Sequence, residues 1–512
     1  REQGLMPVLL AKLLDRHENF FYLIPMQIRE YPNDKEYKEM LAQKPSGTSL
    51  IIPVGVRILA DTETPVSVLS KFMDENSLFL FESVEGGEHW GRYSFLGFSP
   101  HLEIQVFSSI VKVNKKGKTE EIPHNGEPLD ILRKIASEYC HAELAGLPKF
   151  KGGFVGYFAY EMVSFFEPRV KSKLPPEQPL AHFILPEILL AFDNVHHTLD
   201  LMSFAFSEDD FQNAKERLNA SLKKLSNPNP QIINPKKSTF IPQPLMQPED
   251  FRAMVEKIKK HIVAGDIIQC VPSQAFVCDA PSDLLGLYRA QRFINPSPYL
   301  YFMKLGGTTL VGSSPETMIR VENGIATLRP IAGTRPRGKT AEEDLRLAEE
   351  LLKDEKEVAE HVMLVDLGRN ELGRIAKAGT VKVNDFMIIE RYSHVMHIVS
   401  NIKAELNNSY DIFDVLKAAF PAGTLSGAPK VRAMEIIAEC ETRARGNYGG
   451  AVGYMSFDGR MDFAICIRTA VVQNGKLTLQ AGAGIVADSN PETERQETIN
   501  KAKSVAKALE ML

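Results

Sequence analysis

The chain has 512 residues, of which 44% are hydrophobic and 24% are charged, and its formal net charge is −5 at pH 7. This composition is typical of a globular enzyme. The slight negative charge argues against general nucleic-acid binding, which needs a basic face. No apolar run approaches the roughly 18 residues that a membrane span requires.

The start of the sequence and its cysteines bear on the compartment. The apolar stretch from Met6 to Leu10 is interrupted at Lys12, and no cleavage pattern follows, so we predict no secretory signal. The five cysteines are widely spaced, and none forms a Cys-x-x-Cys pair. Such spacing is typical of reduced thiols rather than of a structural zinc site. We therefore expect a cytoplasmic protein.

Strands are predicted first along the chain, and a linker follows them. The runs 48–58, 90–114 and 186–205 read as strands. Residues 226–248 form the clearest linker, because six prolines interrupt a polar stretch and proline disfavours helix at the preceding residue. This places a boundary between an N-terminal part, residues 1–240, and a C-terminal part, residues 245–512.

Three helices are predicted beyond the linker. The first spans 248–265 and carries its apolar residues on one face. The second begins at Thr340, where Glu343 completes a capping-box pattern, and its charged residues continue to 360. The third covers 492–511.

Turn signals between these helices predict antiparallel sheet. Three turn dipeptides lie between apolar or alternating runs, at Asn323-Gly324, Asp458-Gly459 and Asn474-Gly475. Such pairs are strong hairpin signals, and we expect residues 450–482 to form a three-stranded meander. Helices among hairpins, without regular β-α-β units, predict the α+β class.

The segment from Pro330 to Gly338 concentrates anion-binding chemistry. It contains Arg335 and Arg337 beside a Gly-Thr turn. Arginine binds carboxylates and phosphates bidentately, and a turn through Gly333 can aim N–H groups at an anion. The segment therefore suggests a site for a small anionic ligand, although a solvated basic loop has the same pattern.

Two glycine-rich segments resemble nucleotide-binding motifs without matching them. Residues 482–487 fit G-x-G-x-x-A but lack the second strand and the acidic residue that the fingerprint requires. Residues 423–430 lack the Gly-Lys-Ser/Thr of a phosphate loop. What remains at 482–484 is a glycine turn between a strand and a helix, which suits an anion.

Glu360 and Glu497 are the candidate metal ligands. Each lies four residues from a lysine, Lys356 or Lys501, so an ordinary helix-surface ion pair explains them equally well. Glu360 also precedes an apolar run, where a carboxylate needs a partner or a cation. Because Mg²⁺ typically binds one or two protein carboxylates with water and an anionic substrate, one glutamate from each of two helices would suit it.

His397 and Arg468 are polar residues in apolar surroundings. A histidine on a strand beside Val395 and Val399 is commonly structural, but its titration near neutrality also makes it a candidate acid or base. Arg468 is predicted to be a charge inside an apolar strand, in the run Ala464-Ile-Cys-Ile-Arg468-Thr. A buried arginine must be paired, and a carboxylate ligand would pair it.

Taken together, these motifs resemble the chorismate-utilising enzymes, and among them the anthranilate synthase large subunits (component I). The resemblance spans roughly residues 48–512. The motifs that carry it occur in one order, namely Gly312-Ser-Ser-Pro-Glu316, 330–338, 360–370, Met396-His397, 421–430, Tyr448-Gly-Gly, Ile467-Arg468-Thr and 482–484.

The resemblance implies a fold and a reaction. The fold would be α+β, with two facing, mostly antiparallel sheets to which the N-terminal part also contributes. The reaction would be a lyase reaction that converts chorismate and ammonia into anthranilate and pyruvate, the first step from chorismate to tryptophan. A separate glutamine amidotransferase subunit would supply the ammonia, since this sequence has no Gly-x-Cys-x-Gly nucleophile elbow.

The resemblance also implies roles for individual residues. Mg²⁺ on Glu360 and Glu497 would bind the ring carboxylate. Glu316 would be the acid for the departing hydroxyl, His397 would assist proton removal, and Thr424 would be a further catalytic contact. The residues expected to contact chorismate are Gly333, Thr334, Tyr448, Arg468, Gly482, Ala483 and Gly484.

Two further motifs resemble the walls of the family's tryptophan feedback site. They are Leu80-Phe-Glu82-Ser83 and Asn295-Pro-Ser-Pro298-Tyr299-Leu300. We expect tryptophan to act there as an allosteric inhibitor, with contacts to Ser83, Pro298, Tyr299 and Leu300.

Two positions distinguish this chain from sibling enzymes. Gln269 stands where isochorismate and salicylate synthases carry a lysine base, and a neutral glutamine cannot activate water as that lysine does. Ala332 stands where aminodeoxychorismate synthases typically carry a lysine nucleophile. The alternatives are an aminodeoxychorismate synthase, disfavoured by Ala332, and a tryptophan-binding regulator without catalysis, disfavoured by the intact set of site residues.

Overall fold

The structure is a computed structural model that describes residues 26–45, 47–83, 91–228, 240–392 and 395–512. The start of the chain, where we predicted no signal sequence, and the middle of the predicted linker lie outside these residues. The division into two parts therefore stays a prediction. No helix within the described ranges is long and apolar enough to cross a membrane. All five cysteines are free thiols.

The strands are named here in chain order. They are β1 (Gln27–Tyr31), β2 (Ser49–Leu59), β3 (Leu78–Glu82), β4 (Tyr93–Val106), β5 (Ile110–Lys115), β6 (Lys118–Pro123), β7 (Tyr139–His141), β8 (Phe154–Phe158), β9 (Ala181–Asp193), β10 (Thr198–Ala205), β11 (Gln243–Pro244), β12 (Gln269–Cys270), β13 (Ser273–Asp279), β14 (Tyr299–Leu305), β15 (Thr308–Ser314), β16 (Thr317–Glu322), β17 (Ile325–Leu328), β18 (Ile331–Pro336), β19 (Lys382–Arg391), β20 (Val395–Glu405), β21 (Gly427–Ala428), β22 (Ala451–Met455), β23 (Met461–Ile465), β24 (Thr469–Gln473) and β25 (Lys476–Gly482).

The α-helices follow the same convention. They are α1 (Asp34–Ala42), α2 (Pro65–Lys71), α3 (Pro128–Ser137), α4 (Val163–Phe166), α5 (Phe211–Leu225), α6 (Pro248–Val263), α7 (Leu284–Ile294), α8 (Ala341–Lys353), α9 (Glu355–Gly373), α10 (Ile412–Ala419), α11 (Lys430–Cys440) and α12 (Pro491–Glu510).

Hydrogen bonds join most of the strands into one branched sheet with two arms. Strands β4 and β9 pair along most of their length at its centre. The first arm runs from β4 through β3, β14, β15, β24 and β25 to β13. The second arm runs from β9 through β8, β22, β23, β16 and β17 to β20, which also pairs with β18 and β19. The predicted α+β class is confirmed, and the two expected sheets are connected rather than separate.

Strands from both sides of the predicted linker pair with one another. Strand β3 pairs with β14 in the first arm, and β8 pairs with β22 in the second. Aromatic side chains also pack across this boundary. The ring centroid of Phe158 on β8 lies 4.7 Å from that of Phe183 and 5.7 Å from that of Phe463. All three side chains are fully buried, and each buried phenylalanine contributes about 1.5–3 kcal/mol to stability.

The local predictions mostly match the structure. The hairpins at the three Asn-Gly and Asp-Gly pairs are present as β16–β17, β22–β23 and β24–β25. Helices α6 and α12 lie where the first and third helices were predicted. The predicted helix from residue 340 is two helices, because Asp354 leaves the helical conformation and its side chain caps α9 by accepting the N–H groups of Lys356 and Glu357.

The prediction of a three-stranded meander over 450–482 is wrong. The run forms two hairpins that separate at Arg468, whose backbone is left-handed with a φ of 48°. Strand β23 pairs with β16 in the second arm, whereas β24 pairs with β15 in the first. Arg468 therefore lies in the turn between the two arms, not inside a strand as we had expected.

Candidate active site

A cavity of about 460 Å³ is lined by residues of both arms together with α9 and α12. It brings together ten of the twelve residues predicted to bind substrate or metal or to catalyse. These ten are Glu316, Gly333, Thr334, Glu360, Thr424, Tyr448, Arg468, Gly482, Gly484 and Glu497. The other two, His397 and Ala483, lie beside lining residues, as described below.

Four glutamates line the cavity from two helices. Glu357 and Glu360 lie on α9, and Glu494 and Glu497 lie on α12. Burial raises the pKa of both Glu357 and Glu494, and repulsion from the neighbouring glutamate adds to the rise. Sequence reasoning missed these two, although the Glu-x-x-Glu spacing in both helices was a usable signal, because residues three apart share a helix face.

The glutamates fit a magnesium ion better than a transition metal. Within the described ranges, no three or more His, Cys, Asp or Glu side chains cluster closely enough to enclose an ion. Mg²⁺ does not require such an enclosure, because it keeps several waters and uses one or two carboxylates with an anionic substrate. The concentrated negative charge of Glu360, Glu497 and their neighbours therefore suits Mg²⁺ held jointly with a ligand.

One of the two predicted metal ligands forms the ion pair with the neighbouring lysine that its spacing suggested. Lys501 Nζ lies 2.7 Å from Glu497 Oε1 and also donates to the carbonyl of Gly482 at 3.0 Å. Glu360 forms no ion pair with Lys356 in the described part of the chain; it accepts a hydrogen bond from Gln269 Nε2 at 3.2 Å. Gln269 thus lines the cavity as a neutral donor, whereas Ala332 is not itself a lining residue but lies between two, Ile331 and Gly333.

Glu316 has the properties of a general acid. It follows β15, and Thr424 in the short helix Gly423–Leu425 donates to its Oε1 at 3.0 Å. Burial raises the pKa of Glu316 to about 7, although the Thr424 hydrogen bond and the positive charges of Arg468 and Lys501 oppose the rise. The carboxyl group is therefore partly protonated near neutral pH and can give up a proton there.

His397 lies on β20, next to the Gly333-Thr334 turn of the neighbouring strand β18. Its Nδ1 lies 2.8 Å from the carbonyl oxygen of Gly333 and 3.2 Å from Thr334 Oγ1. Because a carbonyl oxygen only accepts, Nδ1 carries the proton in the neutral ring and Nε2 has the free lone pair. Burial lowers the pKa of His397, so the neutral form that can act as a base prevails near pH 7.

Two of the predicted glycines permit close approaches that a side chain would block. A Cβ at Gly482 would lie 2.7 Å from Tyr448 Oη, and one at Gly484 would lie 2.6 Å from Gln269 Nε2. Ala483 is fully buried, and its N–H donates to the carbonyl of Pro272 at 3.2 Å; its contact with chorismate stays a prediction. The close approaches of Tyr448 and Gln269 to the backbone at Gly482 and Gly484 therefore depend on the absence of a side chain.

The two arginines of the Pro330–Gly338 segment do not serve a ligand. Arg335 Nη2 lies 2.8 Å from Asp354, and Arg337 Nε lies 2.7 Å from Asp344. The carboxylates that these arginines bind are thus the protein's own, from α8 and its end. Within the segment 330–338, the cavity is lined by Ile331 and by the Gly333-Thr334 turn that precedes the arginines.

Comparison with known proteins places this site in a family. The family model of the chorismate binding enzymes matches residues 83–507. The chain belongs to this family. This chorismate-binding enzyme is 46% identical over 477 residues to anthranilate synthase component 1 of Acinetobacter calcoaceticus and 45% identical over 473 residues to that of Aquifex aeolicus; each match covers 90% of this chain and 95% of the relative.

Solved structures agree with this assignment. Anthranilate synthase component I from Streptococcus pneumoniae superposes with a TM-score of 0.74 and 38% identity, over 83% of this chain and 95% of that one. The menaquinone-specific isochorismate synthase from Escherichia coli superposes with a TM-score of 0.69 over 93% of this chain and 98% of that one. At 22% identity, the latter shows a shared fold only.

The chorismate-binding enzyme has a second cavity, of about 350 Å³, away from the glutamates. All four residues predicted to bind an effector line it, namely Ser83, Pro298, Tyr299 and Leu300. Tyr299 Oη donates to Asp462 at 2.8 Å, and burial raises the pKa of Asp462. Asp462 and Arg320 also line this cavity; sequence reasoning missed both, because only the pairing of β16 with β23 brings them beside Tyr299.

Proposed function

We propose that this protein is the large subunit of an anthranilate synthase, which converts chorismate and ammonia into anthranilate and pyruvate at the first step from chorismate to tryptophan. The observation that carries the proposal is a single cavity that combines a protonatable Glu316, an arginine and two pairs of glutamates. Curated relatives of that name share 44–46% of their residues with this chain over at least nine-tenths of its length.

The two carboxylates of chorismate have separate partners in this proposal. Arg468 and Tyr448 hold the enolpyruvyl carboxylate, and Gly482 and Gly484 let the backbone approach it. Mg²⁺ would bind the ring carboxylate, held by Glu360 and Glu497. When bound, the ion neutralises charge that would otherwise oppose attack on the ring.

Two residues, Glu316 and His397, carry out the proton transfers in this proposal. Ammonia forms a bond to C2 as the C4–O bond breaks, and Glu316 gives its proton to the departing hydroxyl while Thr424 orients the carboxyl group. In the second step His397 Nε2 takes the proton from C2, and the bond between C3 and the enolpyruvyl oxygen breaks as the ring becomes aromatic. The leaving group departs as the enolate of pyruvate, which takes up a proton to become pyruvate. Gln269 is neutral and cannot activate water, which favours ammonia as the nucleophile.

The purified chain is expected to make anthranilate from chorismate, ammonium and Mg²⁺ but not from chorismate and glutamine. The reason is that it lacks an amidotransferase nucleophile, and we assign glutamine hydrolysis to a separate cytoplasmic subunit. Anthranilate fluorescence measures both reactions. Glutamine-dependent turnover by the chain alone would contradict the proposed division of labour, and chromatography showing aminodeoxychorismate as the main product would favour the sibling enzyme.

We further propose that the second cavity is a tryptophan feedback site. The support is its lining, since aromatic and apolar residues such as Phe81 and Tyr299 surround an indole-sized space. Asp462 and Arg320 lie in the same lining and carry opposite charges, which suits the ammonium and carboxylate groups of an amino acid.

Ser83→Phe is expected to abolish inhibition by tryptophan and to leave uninhibited turnover nearly unchanged, because the larger side chain fills the second cavity and not the first. The measurement is a tryptophan titration of wild type and variant side by side, with Ser137→Phe, at an exposed serine outside both cavities, as the matched control. By linkage, chorismate should weaken tryptophan binding by the same factor as tryptophan weakens chorismate binding. Equal inhibition of wild type and Ser83→Phe would place the effector elsewhere.

A further inference from the structure

We infer that Gln291 is a positioning residue that fixes the substrate-binding conformation of Arg468. The inference rests on the proposed function, which assigns a chorismate carboxylate to Arg468. It concerns a residue outside the cavity, on helix α7, which the proposed mechanism does not otherwise use.

The backbone of Arg468 is the first part of the argument. Its φ of 48° lies in the left-handed region, which residues with a Cβ adopt uncommonly and which persists when the surrounding structure imposes it. The residue sits in the short connection between β23 and β24, where the two arms separate. Its backbone conformation decides where the guanidinium group points, so whatever holds the backbone also aims the side chain.

Among the residues that the structure describes, the carbonyl group of Arg468 accepts hydrogen bonds from Ser313 and Gln291. The backbone N–H of Ser313 donates to it across a long distance of 3.3 Å, and Gln291 Nε2 donates at a shorter one. Gln291 is only 1% exposed, so water does not replace its amide when the amide is removed. Because this amide is buried, losing it would leave the carbonyl without a donor that water could replace, so the bond from Gln291 restrains the backbone of Arg468.

Among the described residues, the side-chain amide of Gln291 forms a hydrogen bond to Arg468 and to no other residue. Its Oε1 has no hydrogen-bond partner in that part of the chain, so the bond to Arg468 is what the buried amide gains. The end of helix α7 next to Gln291 is anchored, because the Asn295 side chain, directly after the helix, donates to the carbonyl of Ser504 at 3.1 Å.

The test compares two substitutions that remove this donor, Gln291→Met and Gln291→Asn, with Tyr288→Phe as the matched control. Methionine keeps the length of the side chain, and asparagine keeps the amide but is one methylene too short. Either should raise KM for chorismate roughly tenfold, as expected for loss of one hydrogen bond to a buried carbonyl. The value of kcat and KM for ammonium should change little. Tyr288→Phe removes the buried hydrogen bond from the same helix to Glu82 and leaves the Gln291 amide and its bond to Arg468 intact. It should therefore lower the melting temperature without raising KM for chorismate.

The outcomes separate the inference from the function on which it rests. Arg468→Lys reports on the function, because it keeps the charge but loses the bidentate geometry, and it should raise KM for chorismate more than either Gln291 variant. If wild type makes no anthranilate, the proposed function fails. If Arg468→Lys raises KM while both Gln291 variants keep the wild-type value, or if neither Gln291 variant folds, Gln291 is a structural residue and the inference is overturned.

Discussion

Glu316→Gln is expected to lower kcat for anthranilate formation by roughly 10²–10⁴-fold, the usual contribution of a general acid. Glutamine keeps the size of the side chain and can still accept the Thr424 hydrogen bond, but it has no proton to give to the departing hydroxyl. KM for chorismate should change much less than kcat. The measurement is steady-state kinetics with Glu342→Gln, at an exposed position on α8, as the control; a kcat within tenfold of wild type would assign the acid role elsewhere.

The pH dependence of the same variant gives an independent check. Because burial raises the pKa of Glu316 to about 7, wild-type turnover at constant free ammonia should fall as pH rises through 7 and the acid is lost. The variant should lack that fall. The folded-state pKa lies above the unfolded value, so Glu316 favours the folded state at low pH and this contribution is lost as pH rises through 7. Glu316→Gln should therefore melt at the same or a higher temperature than wild type at pH 8.

Glu360→Gln and Glu497→Gln are each expected to reduce activity by about 100-fold or more while the fold survives, because each removes one charge from a Mg²⁺ site worth several kcal/mol in the transition state. Both variants should also bind Mg²⁺ more weakly in the presence of chorismate, which calorimetry measures without turnover. Loss of fold would show as a lower melting temperature, which neither substitution should cause to a large degree.

The control for this pair addresses the ion-pair alternative directly. Glu349→Gln removes a carboxylate that lies 3.6 Å from Lys353 in an exposed helix pair, the arrangement that the lysines near Glu360 and Glu497 also suggested. It should leave both activity and Mg²⁺ binding at wild-type values. If Glu360→Gln and Glu497→Gln behave like Glu349→Gln at limiting Mg²⁺, these glutamates are not metal ligands.

The residues of the candidate site could be named from the sequence, but the contacts among them could not. Motifs that are contiguous along the chain, such as those around Glu316 and Glu360, pointed to ten residues that line one cavity. The partners that set their chemistry come from elsewhere: Thr424 for Glu316, and the carbonyl of Gly333 for His397. Glu357 and Glu494 escaped notice because their environment depends on how α9 and α12 face each other.

What the sequence by itself determined is the family, the α+β class and the elements whose signals are local. Hairpins at Asn-Gly and Asp-Gly pairs and the ends of α6 and α12 depend on backbone preferences within a few residues, so they could be predicted directly. The tertiary structure alone decided that the two hairpins of residues 450–482 belong to different arms, so that Arg468 lies between strands and not within one. It also decided that Arg335 and Arg337 bind carboxylates of α8 and its end. Strand pairing and charge pairing depend on which distant segments become neighbours through burial, and a local pattern of residue types does not contain that information.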